Sequence, residues 1–415
     1  MKIFIIIIYL CFIVSARKHK KTKYTSTSSE SDASTSSSSD ESDVFSFSDD
    51  YFDFRGKIKR SFALEAALQD HGRNMICSPV TALIPLAKLL VGAKRRAEKE
   101  LLIAIGLKKT EQLKSAIAHL ITNMMYLQGV TLDVASRIYI SSDKSINENF
   151  KDVTKKIFHS SVQKIDVYDP RETAAKINDW VADKTRNKIT KLVSSSDITK
   201  DVSMILVNAI YFAGRWAHPF EKSFTGDFYS PSGVRRLPMM SHDGRYKYWK
   251  SDIINAEVVE IPYEGKQASM VVVLPFSRTG LPALLRTLKL SSKVLNKELE
   301  KMKLREIILT MPKFKIETEL DMKRLYQKLG LRSIFDSRSS GLTGIVEDEE
   351  VYVTKAIHKA IIEVNEKGTE AAAVSGVAVE YLSSVFNQRK FLADRPFLFY
   401  IKQAKEQLFS GVFSG

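Results

Sequence analysis

The residues with the most unusual chemistry lie near the C-terminal end of the chain, at 366–384. They read Glu-Lys-Gly-Thr-Glu-Ala-Ala-Ala-Val-Ser-Gly-Val-Ala-Val-Glu-Tyr-Leu-Ser-Ser. Successive side chains of a strand point to opposite faces, so an extended form of this segment has two distinct faces. Glu370 and Glu380 fall on one face, and the other face carries only small or apolar groups until Tyr381. A segment that suits both an exposed loop and a half-buried strand predicts a conformational switch.

The alternative interpretation of this segment is an ordinary flexible loop that leads into a strand at 396–402. No residues outside it have the spacing of a metal site. The seven histidines and two cysteines are scattered, and the chain contains no His-Glu-x-x-His pattern. We therefore expect no metal ion.

The hydrophobic pattern predicts helices early in the chain and strands late. Helices are expected at 61–71, 79–106 with an interruption near Gly92, 111–127, 147–159, 171–184 and 320–330. Strands rich in β-branched and aromatic residues are expected at 131–140, 203–213, 256–263, 268–275, 306–317, 351–364 and 396–402. No internal repeat or linker divides this region, which indicates one large α+β domain rather than alternating βαβ units.

The N-terminal end has the composition of a processed leader followed by a polar tail. Lys2, a short apolar run and two small residues predict a signal peptide at 1–16 and an exported, soluble protein. Residues 17–54 begin with bases and continue as a Ser- and acid-rich tract, which predicts disorder. Cys77 then remains as the single cysteine, so the core must hold the fold without an internal disulfide.

Charge is unevenly distributed along the chain. The net charge is +15, although residues 30–53 carry eight acids and no base. A basic body behind an acidic tail favours polyanionic partners such as anionic glycans or phospholipid surfaces. The alternative is that the positive charge only keeps the protein in solution.

Several motifs together resemble the serpin family, the serine protease inhibitors. Glu-Lys-Gly-Thr-Glu-Ala-Ala-Ala at 366–373 is similar to the hinge of inhibitory serpins. Further similar segments are Asn-Met-Ile-Cys-Ser-Pro at 74–79, Leu-Val-Gly-Ala-Lys at 90–94, Ile-Asn-Asp-Trp-Val at 177–181, Asn-Ala-Ile-Tyr-Phe-Ala-Gly-Arg-Trp-Ala-His-Pro-Phe at 208–220, Leu-Thr-Met-Pro-Lys-Phe at 309–314, the strand at 353–365 and Arg-Pro-Phe-Leu-Phe at 395–399. They follow the family's order over residues 55–415.

The resemblance implies a single serpin domain at 55–415 with three β-sheets, about nine helices and an exposed reactive-centre loop at about 366–395. By the family's mechanism, a protease attacks the loop and forms an acyl-enzyme. The cut loop then enters the main sheet as an extra strand and carries the trapped protease with it. The protein is therefore expected to be an inhibitor and not an enzyme.

Counting along the family pattern from Gly368 places the reactive bond at Leu382–Ser383. An apolar residue before this bond favours chymotrypsin-, cathepsin G- or elastase-like targets. The alternative bond, after Tyr381, leaves a chymotrypsin-like target. A cut after Arg389 would lengthen the tether by seven residues and trap poorly.

The resemblance also assigns residues to moving parts of the fold. The hinge residues are Glu366, Gly368, Thr369, Glu370, Ala371, Ala372 and Ala373. A polar shutter, through which the sheet parts, and the site of first insertion beside it together comprise Ser78, Thr81, Asn208, Trp216, Lys313 and His358. A buried, hydrogen-bonded role is expected for His358, in preference to a catalytic base.

The tail at 48–54 is similar to the acidic, tyrosine-bearing tail of heparin cofactor II, a serpin of hemostasis. Tyr51, which lies among acids, is a candidate for sulfation. Candidate glycan-binding residues are Lys57, Lys59, Arg60, Lys108, Lys109 and Lys114. A basic cluster at 94–99 has a solvated face as its simpler interpretation.

Two rival functions remain open at this point. One is a non-inhibitory carrier or chaperone of the same family. The other is an inhibitor of thrombin or factor Xa that uses exosites and the tail and acts either covalently or reversibly. The expected partner is a serine protease. No cofactor is expected other than a heparin-like glycosaminoglycan as a possible activator, the chain should be a monomer, and no nucleic-acid partner is expected.

Overall fold

The computed structural model describes residues 67, 72–125, 127–160, 162–347, 350–368, 389–404 and 406–415. These residues contain eight α-helices, which we number in chain order. The helices are α1 Pro79–Gly92, α2 Arg95–Ile105, α3 Leu113–Met125, α4 Glu148–Phe158, α5 Pro170–Lys184, α6 Leu281–Leu290, α7 Ser292–Glu300 and α8 Met322–Lys328. Short 3-10 turns lie at Thr110–Gln112, Ser195–Asp197 and Ser333–Phe335.

The same residues form fourteen strands. They are β1 Met75–Cys77, β2 Val130–Ser141, β3 Gln163–Ile165, β4 Met204–Gly214, β5 Lys222–Ser230, β6 Gly233–Ser251, β7 Ala256–Pro262, β8 Ala268–Pro275, β9 Lys303–Pro312, β10 Phe314–Asp321, β11 Val353–Val364, β12 Arg389–Leu392, β13 Phe397–Gln403 and β14 Glu406–Phe413. The predicted α+β class is confirmed.

The central sheet has five strands in the order β10-β11-β4-β2-β3. Its middle pair, β11 and β4, runs parallel, whereas β10–β11 and β2–β4 are antiparallel. Every residue of β4 is buried, and all but three residues of β11 are buried. Both faces of this middle pair are therefore covered, as is usual for parallel strands.

The remaining nine strands form two sheets that share one long strand. β6 is 19 residues long and pairs with β5 along its first half, with β9 along its middle and with β7 near its end. From β7 the order continues through β8, β13 and β14 to β1, whereas β9 leads to β12. With the central sheet this gives the three sheets that were expected.

Helix α1 lies behind the central sheet and is buried around most of its circumference. Ser78 caps its start by accepting a hydrogen bond from the Thr81 amide, and Pro79 occupies the first turn, where a missing N–H costs nothing. The helix packs against β2, β4 and β14. A helix that is apolar on most sides, with Thr81 and Lys88 as its polar residues, belongs in the interior of a large domain.

The predicted interruption near Gly92 is confirmed, since α1 ends there and α2 begins at Arg95. A Cβ at Gly92 would overlap Ile345, so the close approach of this loop requires glycine. The expected helix at 61–71 lies almost entirely outside the described residues. The other predicted elements, apart from the segment 306–317, are found with their ends shifted by at most two residues.

One predicted strand was wrong. The segment 306–317 is two strands, β9 and β10, which belong to different sheets and are separated at Lys313. The Lys313 amide donates to the Pro238 carbonyl, after which Phe314 pairs with Val364 of β11. The apolar positions change phase at the break, from Ile307, Leu309 and Met311 before Lys313 to Phe314 and Ile316 after it. The prediction of one strand overlooked this change.

Candidate functional site at the seam of the central sheet

The candidate site is the boundary between β11 and β4, which we call the seam. Its register runs from Val353 opposite Met204 to Ile362 opposite Phe212. Parallel pairing is slightly weaker per residue than antiparallel pairing. The seam is therefore a plausible line of separation within an otherwise continuous sheet.

Two polar residues stand opposite each other across the middle of the seam. His358 of β11 pairs with Asn208 of β4, and the Asn208 side-chain nitrogen lies 2.7 Å from Nδ1 of the ring. Behind them, the Ser78 amide donates to His358 Nε2 at 3.1 Å, and Asn208 Nδ2 is 3.2 Å from Thr81 Oγ1. The Ser78 hydroxyl donates to the Leu408 carbonyl of β14 at 2.7 Å. The start of α1 thus forms hydrogen bonds to His358 of β11, to Asn208 of β4 and to β14.

The hydrogen bonds fix the protonation of the histidine. Because Nε2 accepts from the Ser78 amide, the proton of a neutral ring must lie on Nδ1 and needs an acceptor. The amide oxygen of Asn208 has no partner among the described residues when its nitrogen faces the ring. Rotation of the amide by 180° lets Asn208 Oδ1 accept from His358 Nδ1–H, and this satisfies both groups.

Burial sets the charge of this cluster. The His358 ring has no solvent exposure, and its desolvation lowers the pKa to about 3 from an ordinary value of 6.5. The ring is therefore neutral at physiological pH. The ring lies buried between β11, β4 and α1 and is hydrogen-bonded to the last two.

The chain turns directly after the C-terminal end of β11, and we call this end of the seam its upper end. Gly368 forms bridges both to Asn365, which follows β11, and to Arg215, which follows β4. It therefore occupies the position that the first residue of a strand between β11 and β4 would take. Gly368 has a φ of +133°, and a Cβ there would overlap the Gly214 carbonyl oxygen. Only glycine fits this position without strain.

Side chains hold this turn against β4 and β10. Lys313 donates to Glu366 at 2.7 Å, and the Trp216 indole donates to the Asn365 carbonyl at 2.9 Å. Trp216 also stacks on Tyr263 with 4.5 Å between ring centroids. Partial burial is the largest effect and raises the pKa of Glu366, but the hydrogen bonds from Lys313, its own amide and Ser223, with the Lys313 charge, together outweigh burial and leave that pKa lowered.

The structure brings the six predicted shutter and insertion-point residues to the seam or its upper end, together with Glu366 and Gly368 of the hinge. The other hinge residues, Thr369 to Ala373, and the bond Leu382–Ser383 lie outside the described residues. So do Tyr51, Lys57, Lys59 and Arg60. Lys108, Lys109 and Lys114 are exposed beside α3, away from the seam.

One buried group near the seam was missed. Lys88 of α1 has almost no exposure, and its amine donates to the Ser136 carbonyl of β2 at 2.7 Å. Burial, with a smaller contribution from Arg137, lowers the pKa of the amine to about 7. The signal was available, since Lys88 is the only charged residue within the otherwise apolar run at 79–93.

The part of the chain that the structure describes contains no group of three or more potential metal ligands. Nor does it contain a helix with the length and apolar character needed to cross a membrane.

The Serpin (serine protease inhibitor) family profile matches residues 59–414. The chain belongs to the serpin family. It is 36% identical over 353 residues to antichymotrypsin-2 of Bombyx mori, with 84% of this chain and 94% of that protein covered. Antitrypsin of Bombyx mori is 34% identical over 354 residues, with coverage of 84% and 90%.

A solved structure agrees with this serpin assignment. The crystal structure of Serpin48 from the insect Tenebrio molitor superposes with a TM-score of 0.80 at 25% identity, and the match covers 89% of this chain and 99% of that one. Serpins are protease inhibitors and not proteases. The chain is accordingly a serine protease inhibitor by family.

Proposed function

We propose that this serpin traps a serine protease covalently after cleavage at Leu382–Ser383, and that the cut loop enters the seam as a new strand. The observation that carries the proposal is the position of Gly368. It already bridges the continuations of β11 and β4 at the open end of the seam. The residues that follow Gly368 would have to continue between β11 and β4 toward the other end of the seam.

The direction of the chain favours this movement. A segment that turns back after β11 runs antiparallel to β11, and because β4 is parallel to β11 it also runs antiparallel to β4. One parallel ladder is then replaced by two antiparallel ladders, which are slightly more stable per residue. Ordering about 14 loop residues costs on the order of 14–28 kcal/mol, so the new ladders and the buried face must together exceed that cost.

The hinge sequence suits the space that it has to enter. One face of residues 369–381 carries mostly small or apolar side chains, and the two acids fall on the other face. A buried unpaired carboxylate would oppose insertion, whereas alanine adds no steric or charge penalty. This composition supports an inhibitor over a non-inhibitory carrier or chaperone.

The residue before the reactive bond sets the target class. Leu382 is apolar and fits the primary pocket of chymotrypsin-, cathepsin G- or elastase-like proteases, and Tyr381 would direct the protein to chymotrypsin-like enzymes. The relative named antichymotrypsin-2 supports this class. A coagulation protease engaged through the acidic tail is the second candidate, favoured by the acidic run around Tyr51.

Secretion belongs to the same proposal. The leader at 1–16 would direct export, and the mature inhibitor would meet its target outside the cell. Heparin-like glycans or anionic phospholipids would then be accessible partners for its basic surface.

The test is a gel assay for an SDS-resistant complex with chymotrypsin, cathepsin G, elastase, thrombin and factor Xa. We expect a complex with at least one of the first three enzymes and a released C-terminal peptide that begins at Ser383. Thr369→Arg should convert the protein to a cleaved substrate without a complex, whereas the matched Thr369→Ser should still trap. A stable complex with Thr369→Arg at normal stoichiometry would refute insertion as the mechanism.

A further inference from the structure

The basic residues that flank the reactive loop are all held by the fold. Residues 368–388 contain no lysine or arginine, so the nearest bases are Lys367 on one side and Arg389 and Lys390 on the other. Trypsin-like proteases cleave after lysine or arginine because their primary pocket carries an acid. These three residues are therefore the positions at which such an enzyme would have to cut.

The pair Arg389 and Lys390 begins strand β12, and both residues are exposed. Their backbone is not free, because β12 pairs in parallel with β9 from Arg389 opposite Ile307 to Leu392 opposite Thr310. Proteases prefer exposed loop tips, where the backbone can leave the surface of the protein. The two side chains are thus accessible on a backbone that is fixed.

Side chains also anchor β12 to the sheet. Phe391 has no solvent exposure and lies in the same hydrophobic cluster as Leu309 of β9. The Arg389 guanidinium lies 5.1 Å from the centroid of the Tyr248 ring of β6, a distance typical of a cation–π contact. A protease that takes up the Arg389–Lys390 bond would have to pull Phe391 out of the core.

The chain beyond β12 is tied to two other strands. The Ala393 amide donates to the Thr310 carbonyl of β9 at 2.9 Å, and the Tyr229 amide of β5 donates to the Asp394 carbonyl at 2.7 Å. The segment on the C-terminal side of the basic pair therefore has to open as a unit before it can enter a protease cleft.

Lys367 is held at the other end of the loop. Its carbonyl accepts a hydrogen bond from the Trp216 amide at 3.1 Å, and its amide donates to Asn365 Oδ1 at 3.1 Å. Gly368, which follows it, has a φ of +133° and is not in the extended conformation of a strand. The Lys367–Gly368 bond is thus part of the hinge turn.

We propose that β12 withholds the pair Arg389 and Lys390 from trypsin-like proteases and so limits attack on the loop to enzymes that accept apolar residues. Proteolysis of a paired segment proceeds through local opening, and its rate falls with the population of the open form. Specificity is a difference between partners, so exclusion of a wrong cut contributes to it. If the loop acts as proposed, a cut at the basic pair would consume the inhibitor, because it lengthens the tether between protease and hinge.

Digestion of the full mature chain by trypsin under native conditions tests the proposal, with mass spectrometry of the products to identify the bond that is cut. A synthetic peptide of residues 383–398 gives the rate for the same bonds without β12. We expect the folded chain to be cut after Arg389 or Lys390 at least about 100-fold more slowly than the peptide. A ratio below about tenfold would overturn the proposal.

A matched pair of variants tests whether the packing of β12 gives this protection. Phe391→Leu should raise the rate of cleavage after the basic pair about three- to tenfold, because it removes buried apolar surface that opposes opening. Phe150→Leu makes the same change in α4, in a different hydrophobic cluster, and should alter this rate less than about twofold. Circular dichroism verifies that both variants are folded. Equal rates in the two variants would refute the role of β12.

A base placed within the loop provides the positive control. Trypsin should cut Leu382→Arg after position 382 and leave the bond after Arg389 intact. Resistance of both positions would assign the protection to the loop as a whole and would also overturn the proposal. Failure of the trapping mechanism would appear separately, as a missing SDS-resistant complex with chymotrypsin, so the two failures are distinguishable.

Discussion

Substitution of Asn208 by alanine tests whether the seam opens during inhibition. In the uncut protein, the Asn208 amide contacts His358 across the seam at 2.7 Å. Neighbouring strands lie about 4.8 Å apart, so a strand inserted between β4 and β11 would separate them by about 9.5 Å. The contact cannot survive insertion. Asn208→Ala should therefore destabilise the intact protein more than the cleaved, inserted protein.

The magnitude follows from the groups that lose partners. In the intact protein the substitution leaves the His358 Nδ1–H buried without an acceptor, which costs about 1–3 kcal/mol. Loss of the contact with Thr81 adds about 1 kcal/mol. The total of about 2–4 kcal/mol corresponds to a fall in Tm of about 3–5 °C for a domain of roughly 350 residues. In the cleaved protein only the smaller loss remains, about 1 kcal/mol.

The assay compares guanidinium unfolding of intact protein with protein cleaved in its loop by a non-target protease. Asn147→Ala is the matched control. Its side chain caps the start of α4 by accepting a hydrogen bond from the Phe150 amide, so its loss should destabilise both forms equally. If Asn208→Ala also lowered the stability of both forms equally, the argument that the seam parts would be wrong.

Three further predictions concern single groups. The His358 pKa is about 3 in the folded protein and 6.5 in the unfolded chain, so between these pH values only the unfolded chain binds the proton. The contribution of His358 to the free energy of unfolding should therefore be fully present above pH 6.5. Urea unfolding should show that this free energy is about 2 kcal/mol lower at pH 5. Gly368→Ala places a methyl group against the Gly214 carbonyl oxygen and should lower intact stability by about 1–3 kcal/mol, and an unchanged urea midpoint would contradict the turn geometry. Lys88→Met removes a buried amine whose pKa of about 7 makes folding less favourable as pH falls from 10.5 to 7. The variant should be at least about 2 kcal/mol more stable than the parent at pH 7.4. The stability of the parent should rise between pH 7 and 9 as the amine loses its proton in the unfolded chain, and this rise should be smaller in the variant. Unchanged pH dependence in Lys88→Met would show that the amine is not buried in solution.

The local sequence determined those structural elements that depend only on residues close to one another in the chain. The amino-acid sequence alone indicates three such features: the cap at Ser78, the break at Gly92 and the alternation at 369–381. Capping, turns and face alternation are short-range properties. The family resemblance added which residues gather at the seam. It did not supply the contacts themselves.

Only the tertiary structure decided which distant residues meet. Asn208 and His358 are 150 positions apart, and their contact depends on the register of a parallel strand pair that no local pattern encodes. The split of 306–317 into β9 and β10 is marked in the sequence by a change of apolar phase at Lys313, but the pairing of the halves with β6 and β11 is not.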